Sequence, residues 1–319
     1  MSKGVEGGSW IDRALEAGHI VEPELDPPFD VIEPEVLGSC LVLSSPHSGS
    51  AYPARFLASA RLDPISLRRS EDAFVDELFM GARAFGAPLL RARFPRAYLD
   101  VNREPYELDP RMFDGRLPPF VNSRSMRVAG GLGTIARVVG EAQEIYLKRL
   151  SVDEAIRRIE YLYKPYHATL QGLVDRAMMQ FGQTLLIDCH SMPSCALGSA
   201  HGPMNRDDRL KADFVIGDRY GTSCGRAITE TADAVLSGLG YAVERNKPYA
   251  GGFITENYGH PAGGRHALQI EVNRALYMNE RLMQHGPAFE TVASHISDVM
   301  AALAALMDGM SATERAAAE

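Results

Sequence analysis

The sequence predicts an α/β fold with a buried sheet of largely parallel or mixed strands. Short apolar runs typical of buried strands alternate along the chain with longer segments of helical periodicity. Two of these runs, 39–47 and 183–191, end in polar residues beside a proline. In sheets of this kind ligands bind in the crevice beyond the strand ends, so a functional site is expected there.

Eight segments are predicted as strands from their short apolar runs. The clearest is QTLLIDCHS, because its apolar residues are continuous until the polar residues before Pro193. In chain order the predicted strands are 39–47, 87–94, 97–101, 183–191, 212–218, 241–246, 251–255 and 266–273.

Five helices are predicted among and after these strands. The apolar residues of the first recur at helical spacing from Phe74 to Ala82, and Gly86 is expected to end it. The predicted helices are 71–86, 134–150, 152–180, 227–239 and 279–307.

A single domain, residues 38–310, is expected to hold these elements, because it contains no Gly/Ser linker, internal repeat or low-complexity tract. Residues 1–37 are rich in proline and acidic residues, which argues against regular structure and predicts an N-terminal arm over the domain surface. Residues 311–319 are expected to form a frayed helical tail.

The composition of the 319 residues excludes several classes of protein. Hydrophobic residues at 45% and charged residues at 23% are typical of a globular chain, and no apolar run is long enough to predict a membrane span. A net charge of −8 disfavours nucleic acid as a partner. The N-terminus lacks the apolar core of a secretory signal, and the four cysteines form no CxxC, so a cytoplasmic protein with reduced thiols is expected.

Two histidines, His47 and His190, each follow a predicted buried strand. Imidazole is the commonest metal ligand in proteins, so two of them from different strands could share an ion. Taken singly, a histidine in such a position is more often structural or incidental than a metal ligand. A catalytic zinc uses three protein ligands and one open position for water, so the pair predicts an acidic third ligand.

Several carboxylates are candidates for that position or for proton transfer. In Ser70-Glu71-Asp72, however, the acids also suit the start of a helix that Ser70 caps. Glu271 interrupts an apolar strand, where it is either paired with an arginine or acts as a general base. The full set is Glu71, Asp72, Asp100, Asp188, Glu256 and Glu271.

A cluster of cationic and amide side chains follows another predicted strand, in RAYLDVNRE. Arg96, Asn102 and Arg103 suit a carboxylate ligand, because a guanidinium gives two parallel hydrogen bonds and an amide adds another. The alternative is an arginine in a structural ion pair with Asp100 or Glu104.

Signals for a metal-free hydrolase are weaker. Cys189 adjoins His190, but successive residues of a strand point to opposite faces, so they make a poor nucleophile–base pair. Ser191 lacks the GxSxG elbow. GGLGT at 130–134 is not followed by the GK[ST] of a phosphate-binding loop.

These segments together resemble the N-formylglutamate amidohydrolases (formylglutamate deformylases). The resemblance extends in family order from residue 44 to residue 280. Its most specific parts are PHSG, DCHSMP, the PYAGG turn, the Asn-Arg pair at 102–103 and QIE followed by LYM. The family has a zinc-carboxypeptidase-like α/β architecture, which implies a single domain with a mixed, mostly parallel sheet and helices on both faces.

The resemblance also implies roles for individual residues. His47, Asp72 and His190 would bind one Zn²⁺ per chain, and Glu271 would be the catalytic carboxylate. Family members often have Asp-Thr-Asp-Trp where this chain has SEDA, so Glu71 stays a rival to Asp72. Asn102 and Arg103 would bind a substrate carboxylate, with Arg96 as a second cation.

The implied activity is zinc-dependent hydrolysis of N-formyl-L-glutamate, or a related N-acyl amino acid, to formate and glutamate in histidine breakdown. Another N-acyl amino acid or a carboxypeptidase-like amide is an alternative substrate of the same class. A metal-free hydrolase using Cys189 or Ser191, and a non-catalytic binding homologue, are alternatives of other classes. Retention of the four residues implied as ligands and base speaks against the last.

Overall fold

A central sheet of seven strands forms within the residues that the computed structural model describes, which are 22–140, 142–194 and 212–318. The strands lie in the order β1-β3-β2-β4-β7-β5-β6. The pairs β2–β3, β2–β4, β4–β7 and β5–β6 are parallel, whereas β7 and β5 are antiparallel. This confirms the predicted mixed, mostly parallel sheet. The strands are β1 Phe29–Ile32, β2 Leu41–Ser45, β3 Leu89–Ala92, β4 Thr184–Met192, β5 Phe214–Gly217, β6 Val243–Arg245 and β7 Arg265–Asn273.

Helices flank this sheet, and several of them are short. A π-helical turn, Ile159–Tyr163, joins α5 to α6, so that the predicted helix 152–180 is nearly continuous. The helices are α1 Ala54–Ser59, α2 Pro64–Arg68, α3 Val75–Leu78, α4 Met126–Ala129, α5 Val152–Arg158, α6 Lys164–Phe181, α7 Arg226–Gly238, α8 Phe253–Tyr258 and α9 Phe289–Ala318.

Contacts divide the described chain into two compact units that alternate along the sequence. The first comprises 22–30, Gly49–Glu71 and Ala92–Thr169, and the second comprises Val31–Ser48, Asp72–Arg91 and the described residues from Leu170 onward. The second unit carries the sheet except for the first two residues of β1 and the last residue of β3. Because the units alternate through continuous segments, no linker composition marks them in the sequence.

Successive side chains along the strands of the second unit point to opposite faces of the sheet, and one face is apolar whereas the other is polar. On β4, Leu185, Ile187 and Cys189 are buried in the main hydrophobic core together with residues of α7 and α9. Asp188 and His190 alternate with these residues along the strand and therefore face the opposite side. On β7, Leu268, Ile270 and Val272 belong to the same core, which leaves Gln269 and Glu271 on the polar face.

Helix α9 supplies much of that core from residues about one helical turn apart. In the described part of the chain, it contains the one segment, Phe289–Met310, that is long and apolar enough by length and composition to cross a membrane. Its apolar face packs in the core of the second unit, which accounts for this composition. The core residues of α9 are Phe289, Val292, Ile296, Val299, Met300, Leu303 and Met307.

Three predicted elements are wrong. Residues 97–101 are buried but form turns, with the Asp100 N–H donating to Thr134 O at 2.8 Å instead of to a strand. Residues 251–255 include the start of α8, because the backbone enters a helix after Gly252. The predicted helix 134–150 is replaced by two short antiparallel strands around a turn.

Other predictions need new boundaries. The predicted helix 71–86 is α3 followed by a 3₁₀ helix, Met80–Phe85, and Gly86 ends it at φ 77° as expected. The last helix begins ten residues later than predicted, at Phe289. In the predicted arm, residues 1–21 lie outside the described residues, but Phe29–Ile32 forms edge strand β1, so the expectation of irregular structure is wrong there.

Candidate active site

His47 lies two residues beyond β2 and is 1% exposed. Its carbonyl oxygen accepts a hydrogen bond from the Asp72 N–H at 3.0 Å. The same turn is held by Ser48, whose hydroxyl contacts that of Ser45 and accepts from the Asp76 N–H at 3.2 Å. This backbone hydrogen bond therefore brings His47, which follows β2, next to Asp72, which precedes α3.

The side chains of His47, Asp72 and His190 converge in one buried cluster. Asp72 Oδ2 lies 2.9 Å from His190 Nδ1 and 3.3 Å from His47 Nδ1. The three potential ligand atoms lie within 4.8 Å of one another, and all three residues are buried. The cluster could therefore hold a metal ion.

The surroundings of the cluster fit a metal. Two imidazole nitrogens and one carboxylate oxygen are a donor set that zinc prefers. Asp188 Oδ1 lies 3.0 Å from His190 Nε2, which favours the tautomer that leaves Nδ1 as a ligand. Arg274 Nη2 lies 2.9 Å from Asp72 Oδ1, so the other carboxylate oxygen, Oδ2, faces the histidines.

The electrostatics of the cluster depend on its burial. Burial alone would raise the pKa of Asp72, but hydrogen bonds from His190 and His47 outweigh it and hold that pKa well below its ordinary value. Burial would likewise lower the pKa of His190, but Asp188 and Asp72 raise it well above the ordinary value. The carboxylate is thus kept ionised and ready to bind a cation.

Glu271 lies on the strand next to His190. The two residues are paired in register on the parallel strands β7 and β4, which puts their side chains on the same face. Glu271 is 7% exposed, and its Oε1 accepts a hydrogen bond from Gln269 Nε2 at 2.9 Å. The Gly252 N–H donates to Gln269 Oε1, also at 2.9 Å, so a backbone amide fixes the residue that holds the carboxylate.

Glu71 has its own partners. Arg68 Nε lies 3.1 Å from each of its carboxylate oxygens, so it forms a structural ion pair. Ser70 donates to the Leu67 carbonyl and α3 starts only at Val75, so the expected helix cap is wrong. Among the described residues, the cluster that could hold a metal ion contains Asp72 and does not contain Glu71.

The predicted substrate-binding cluster lies in the first unit. Arg96 Nε is 3.0 Å and Arg103 Nη2 is 3.4 Å from Asp100 Oδ2. Arg103 also donates to the carbonyls of Asn102 and Leu132, and burial lowers its pKa to about 10. These contacts are those of the structural alternative, and carboxylate binding stays a prediction.

The remaining candidates lie in other settings. Glu256 forms an ion pair with Arg219 at 2.6 Å and its side chain is 61% exposed. Cys189 is in the hydrophobic core, where burial raises its thiol pKa well above the ordinary value. The Ser191 hydroxyl accepts from Arg274 Nε at 3.0 Å. A Cys189–His190 pair on one face is therefore absent, as the strand alternation predicts.

Sequence reasoning missed Gln269 and Arg274, and it counted Asp188 only as one of six candidate carboxylates. The signal for two of them was spacing, because Asp188 precedes His190 by two residues and Gln269 precedes Glu271 by two. Residues two apart on a strand share a face. Arg274 belongs to a second Val-Asn-Arg, at 272–274, that repeats the one at 101–103.

Comparisons with known proteins agree with this geometry. A family model of N-formylglutamate amidohydrolases matches residues 39–278. The N-formylglutamate deformylase of Pseudomonas putida is 30% identical over 246 residues, which are 75% of this chain and 82% of the relative. The enzyme of the same name from Pseudomonas aeruginosa is 28% identical, over 76% of this chain and 83% of that relative.

Solved structures extend the likeness to the fold. The N-formylglutamate amidohydrolase of Ralstonia eutropha JMP134 is similar with a TM-score of 0.79 and 36% identity, covering 88% of this chain and 98% of the other. The Agrobacterium tumefaciens gene product Atu2144, at a TM-score of 0.59 and 19% identity over 88% and 96%, shares the fold. The match over most of the chain shows that this protein belongs to the N-formylglutamate amidohydrolase family.

Proposed function

We propose that this protein is a zinc-dependent amidohydrolase that cleaves N-formyl-L-glutamate, or a related N-acyl amino acid, to formate and glutamate. The observation that carries the proposal is the buried His47–Asp72–His190 cluster with Glu271 on the adjoining strand. Family membership supports the substrate class, and the proposal includes a role in histidine breakdown in the cytoplasm.

One Zn²⁺ per chain would be held by His47, Asp72 and His190. When bound, zinc polarises an acyl carbonyl and lowers the pKa of a water molecule to about 7. Asp188 and Arg274 would keep His190 and Asp72 oriented as ligands, through the contacts at 3.0 and 2.9 Å.

Glu271 would act as the general base. Its carboxylate accepts a proton from the attacking water, whose oxygen forms a bond to the formyl carbon. The carbon–nitrogen bond then breaks, and Glu271 returns the proton to the leaving amine. The hydrogen bond from Gln269 at 2.9 Å keeps the carboxylate in one orientation for both transfers.

Substrate binding is assigned to the cationic cluster of the first unit. N-formylglutamate carries two carboxylates, which guanidinium and amide groups recognise well. In this proposal Asn102 and Arg103 bind the α-carboxylate. Arg96, whose side chain is 28% exposed, provides the second cation of this cluster.

The function is tested by metal content and turnover together. We expect elemental analysis of the purified protein to give about one zinc per chain. We also expect N-formyl-L-glutamate to be hydrolysed faster than other N-acyl amino acids. A chelator should abolish hydrolysis and added zinc should restore it. Hydrolysis that survives complete removal of metal would overturn the zinc mechanism, and binding of the substrate without turnover would favour a non-catalytic homologue.

The ligand assignment is tested by matched variants of neighbouring acids. Asp72→Ala and His190→Ala should lose most of the zinc, because each removes one of three ligands. Glu71→Ala is the control, since its carboxylate pairs with Arg68. Zinc content by elemental analysis should stay near one per chain in this control. The reverse pattern between Asp72 and Glu71 would move the ligand to Glu71.

A further inference from the structure

A cleft in the first compact unit is lined mainly by cationic side chains. Its cavity volume is about 170 Å³. We call it the basic groove, and its charged lining consists of Arg61, Arg111, Arg137, Lys148, Arg149 and Glu144. The proposed hydrolytic mechanism uses none of these residues.

Two arginines of the basic groove are held in place by one buried carboxylate. Asp109 accepts hydrogen bonds from Arg111 Nε at 2.9 Å and Nη2 at 2.8 Å, and from Arg137 Nε at 2.9 Å. Asp109 is 2% exposed, and it also accepts from the Arg111 N–H at the start of a 3₁₀ helix. One buried carboxylate therefore fixes two guanidiniums and neutralises only one of them.

Three further cations of the basic groove have no side-chain partner among the residues that the structure describes. Arg61, Lys148 and Arg149 are exposed, and their side chains form no hydrogen bond or ion pair with any residue that the structure describes. Their backbone is nevertheless fixed, because the Arg61 N–H donates to Ile145 O at 2.7 Å. The Leu147 N–H donates in turn to Ser59 O at 2.9 Å.

The basic groove carries a net positive charge, whereas the chain as a whole carries a net negative charge. Its five cations face Glu144 on the lining and Asp109 beneath it, which leaves three positive charges in a protein whose net charge is −8. Clustered like charges repel one another, and an anion bound among them removes that repulsion.

We propose that the basic groove binds a small polyanion with two or more phosphate or carboxylate groups. The planar guanidinium of arginine suits both groups. Asp109 holds Arg111 and Arg137 in fixed orientations within a lining that carries three further cations. The acidic chain as a whole disfavours a nucleic acid, which would extend beyond a cleft of this size.

The test is calorimetric titration of the full-length protein with pyrophosphate and, separately, with citrate. We expect saturable 1:1 binding of at least one of them, and the preferred probe distinguishes phosphate from carboxylate recognition. The double variant Arg61→Ala/Arg149→Ala should weaken that binding at least about tenfold, because it removes two charge-assisted contacts. A matched control, Arg116→Ala/Arg226→Ala, loses the same charge outside the lining and should change affinity less than about twofold.

Three results would overturn the proposal. These are no binding of either probe, equal weakening in both double variants, and tighter binding of a DNA or RNA oligonucleotide than of either probe. N-formyl-L-glutamate is itself a dicarboxylate, so its competition with the bound probe would support the proposal and identify the substrate as a ligand of the basic groove. Because the titration measures binding and not turnover, failure of the proposed hydrolysis would leave its outcome unchanged.

Discussion

Residues two apart on the strands β4 and β7 determine the chemistry of the candidate site. His190 and Glu271 lie side by side because the strands are parallel and paired in register. Asp188 and Gln269, one step back on the same face, hold them at 3.0 and 2.9 Å. Hydrogen bonds among these four side chains offset the free-energy cost of burying them. The same hydrogen bonds confine His190 and Glu271 to one orientation each.

The base assignment gives a prediction for Glu271→Gln. The amide keeps the shape of the side chain but cannot accept a proton, so kcat should fall at least roughly 100-fold. Zinc content should be retained, because Glu271 lies outside the ligand cluster. KM should change less, since the proposed substrate contacts come from other residues. Near-unchanged kcat on the best substrate would exclude Glu271 as the base.

Arg274 gives a second prediction at this scale. Its guanidinium reaches both Asp72 Oδ1 and Ser191 Oγ, so Arg274→Gln should leave the acidic ligand poorly oriented. Zinc affinity, measured by competition with a chromophoric chelator, should weaken by about 10–100-fold. Arg274→Lys keeps the positive charge but cannot contact Asp72 and Ser191 at the same time, so it should recover zinc affinity only in part. Full zinc affinity in a folded Arg274→Gln would show that Asp72 needs no such support.

At the scale of elements, the sequence predicts buried strands well and irregular backbone poorly. Strands β2, β4 and β7 are found where predicted, because both of their faces are buried and their apolar runs are nearly continuous. Residues 97–101 are equally buried, but their backbone bonds go to turns, which an apolar run does not reveal. Gly252 looks like part of a strand in GGFIT, yet it leads into α8.

The junction between β5 and the segment before α8 gives a prediction about Gly217. A Cβ at this position would lie 2.7 Å from the Ala250 carbonyl carbon and 2.8 Å from the Gly251 nitrogen. Gly217→Ala should therefore displace this segment, which supplies the Gly252 N–H to Gln269. We expect a loss of about 1–3 kcal/mol in unfolding free energy by chemical denaturation, together with lower kcat.

The matched control for Gly217 is Gly172→Ala. Gly172 lies inside α6, and a Cβ there meets no atom within 4 Å. Alanine favours helix, so this change should stabilise the protein by about 0.5–1 kcal/mol and leave activity unchanged. Equal stability of Gly217→Ala and the wild type would show that the segment adjusts without strain.

At the scale of the whole molecule, the three proposed metal ligands come from separate parts of the chain. His47, Asp72 and His190 belong to the second compact unit, although segments of the first unit separate them in sequence. Position at strand ends pointed to the two histidines, but no local pattern chose Asp72 over Glu71. The family resemblance favoured Asp72, and in the fold Asp72 lies beside the histidines whereas Glu71 pairs with Arg68.

The raised pKa values of the buried thiols argue against a cysteine hydrolase as the alternative to the zinc mechanism. Burial and the charge of Asp308 raise the pKa of Cys40 to about 12, and burial raises that of Cys224 to about 12. Burial raises the pKa of Cys189 well above its ordinary value. At pH 8 a thiol of pKa 12 is ionised in only about one molecule in 10⁴, so alkylation should be very slow.

This protection can be measured in a Cys195→Ser background, which removes the cysteine that lies outside the described residues. Iodoacetamide at pH 8 should label none of the three remaining thiols in the native protein and all three after denaturation, as counted by intact-mass spectrometry. Cys189→Ala, which leaves a small cavity in the core, should lower stability but keep hydrolysis of N-formyl-L-glutamate. Rapid native labelling of Cys189 that abolishes hydrolysis would instead establish a cysteine nucleophile.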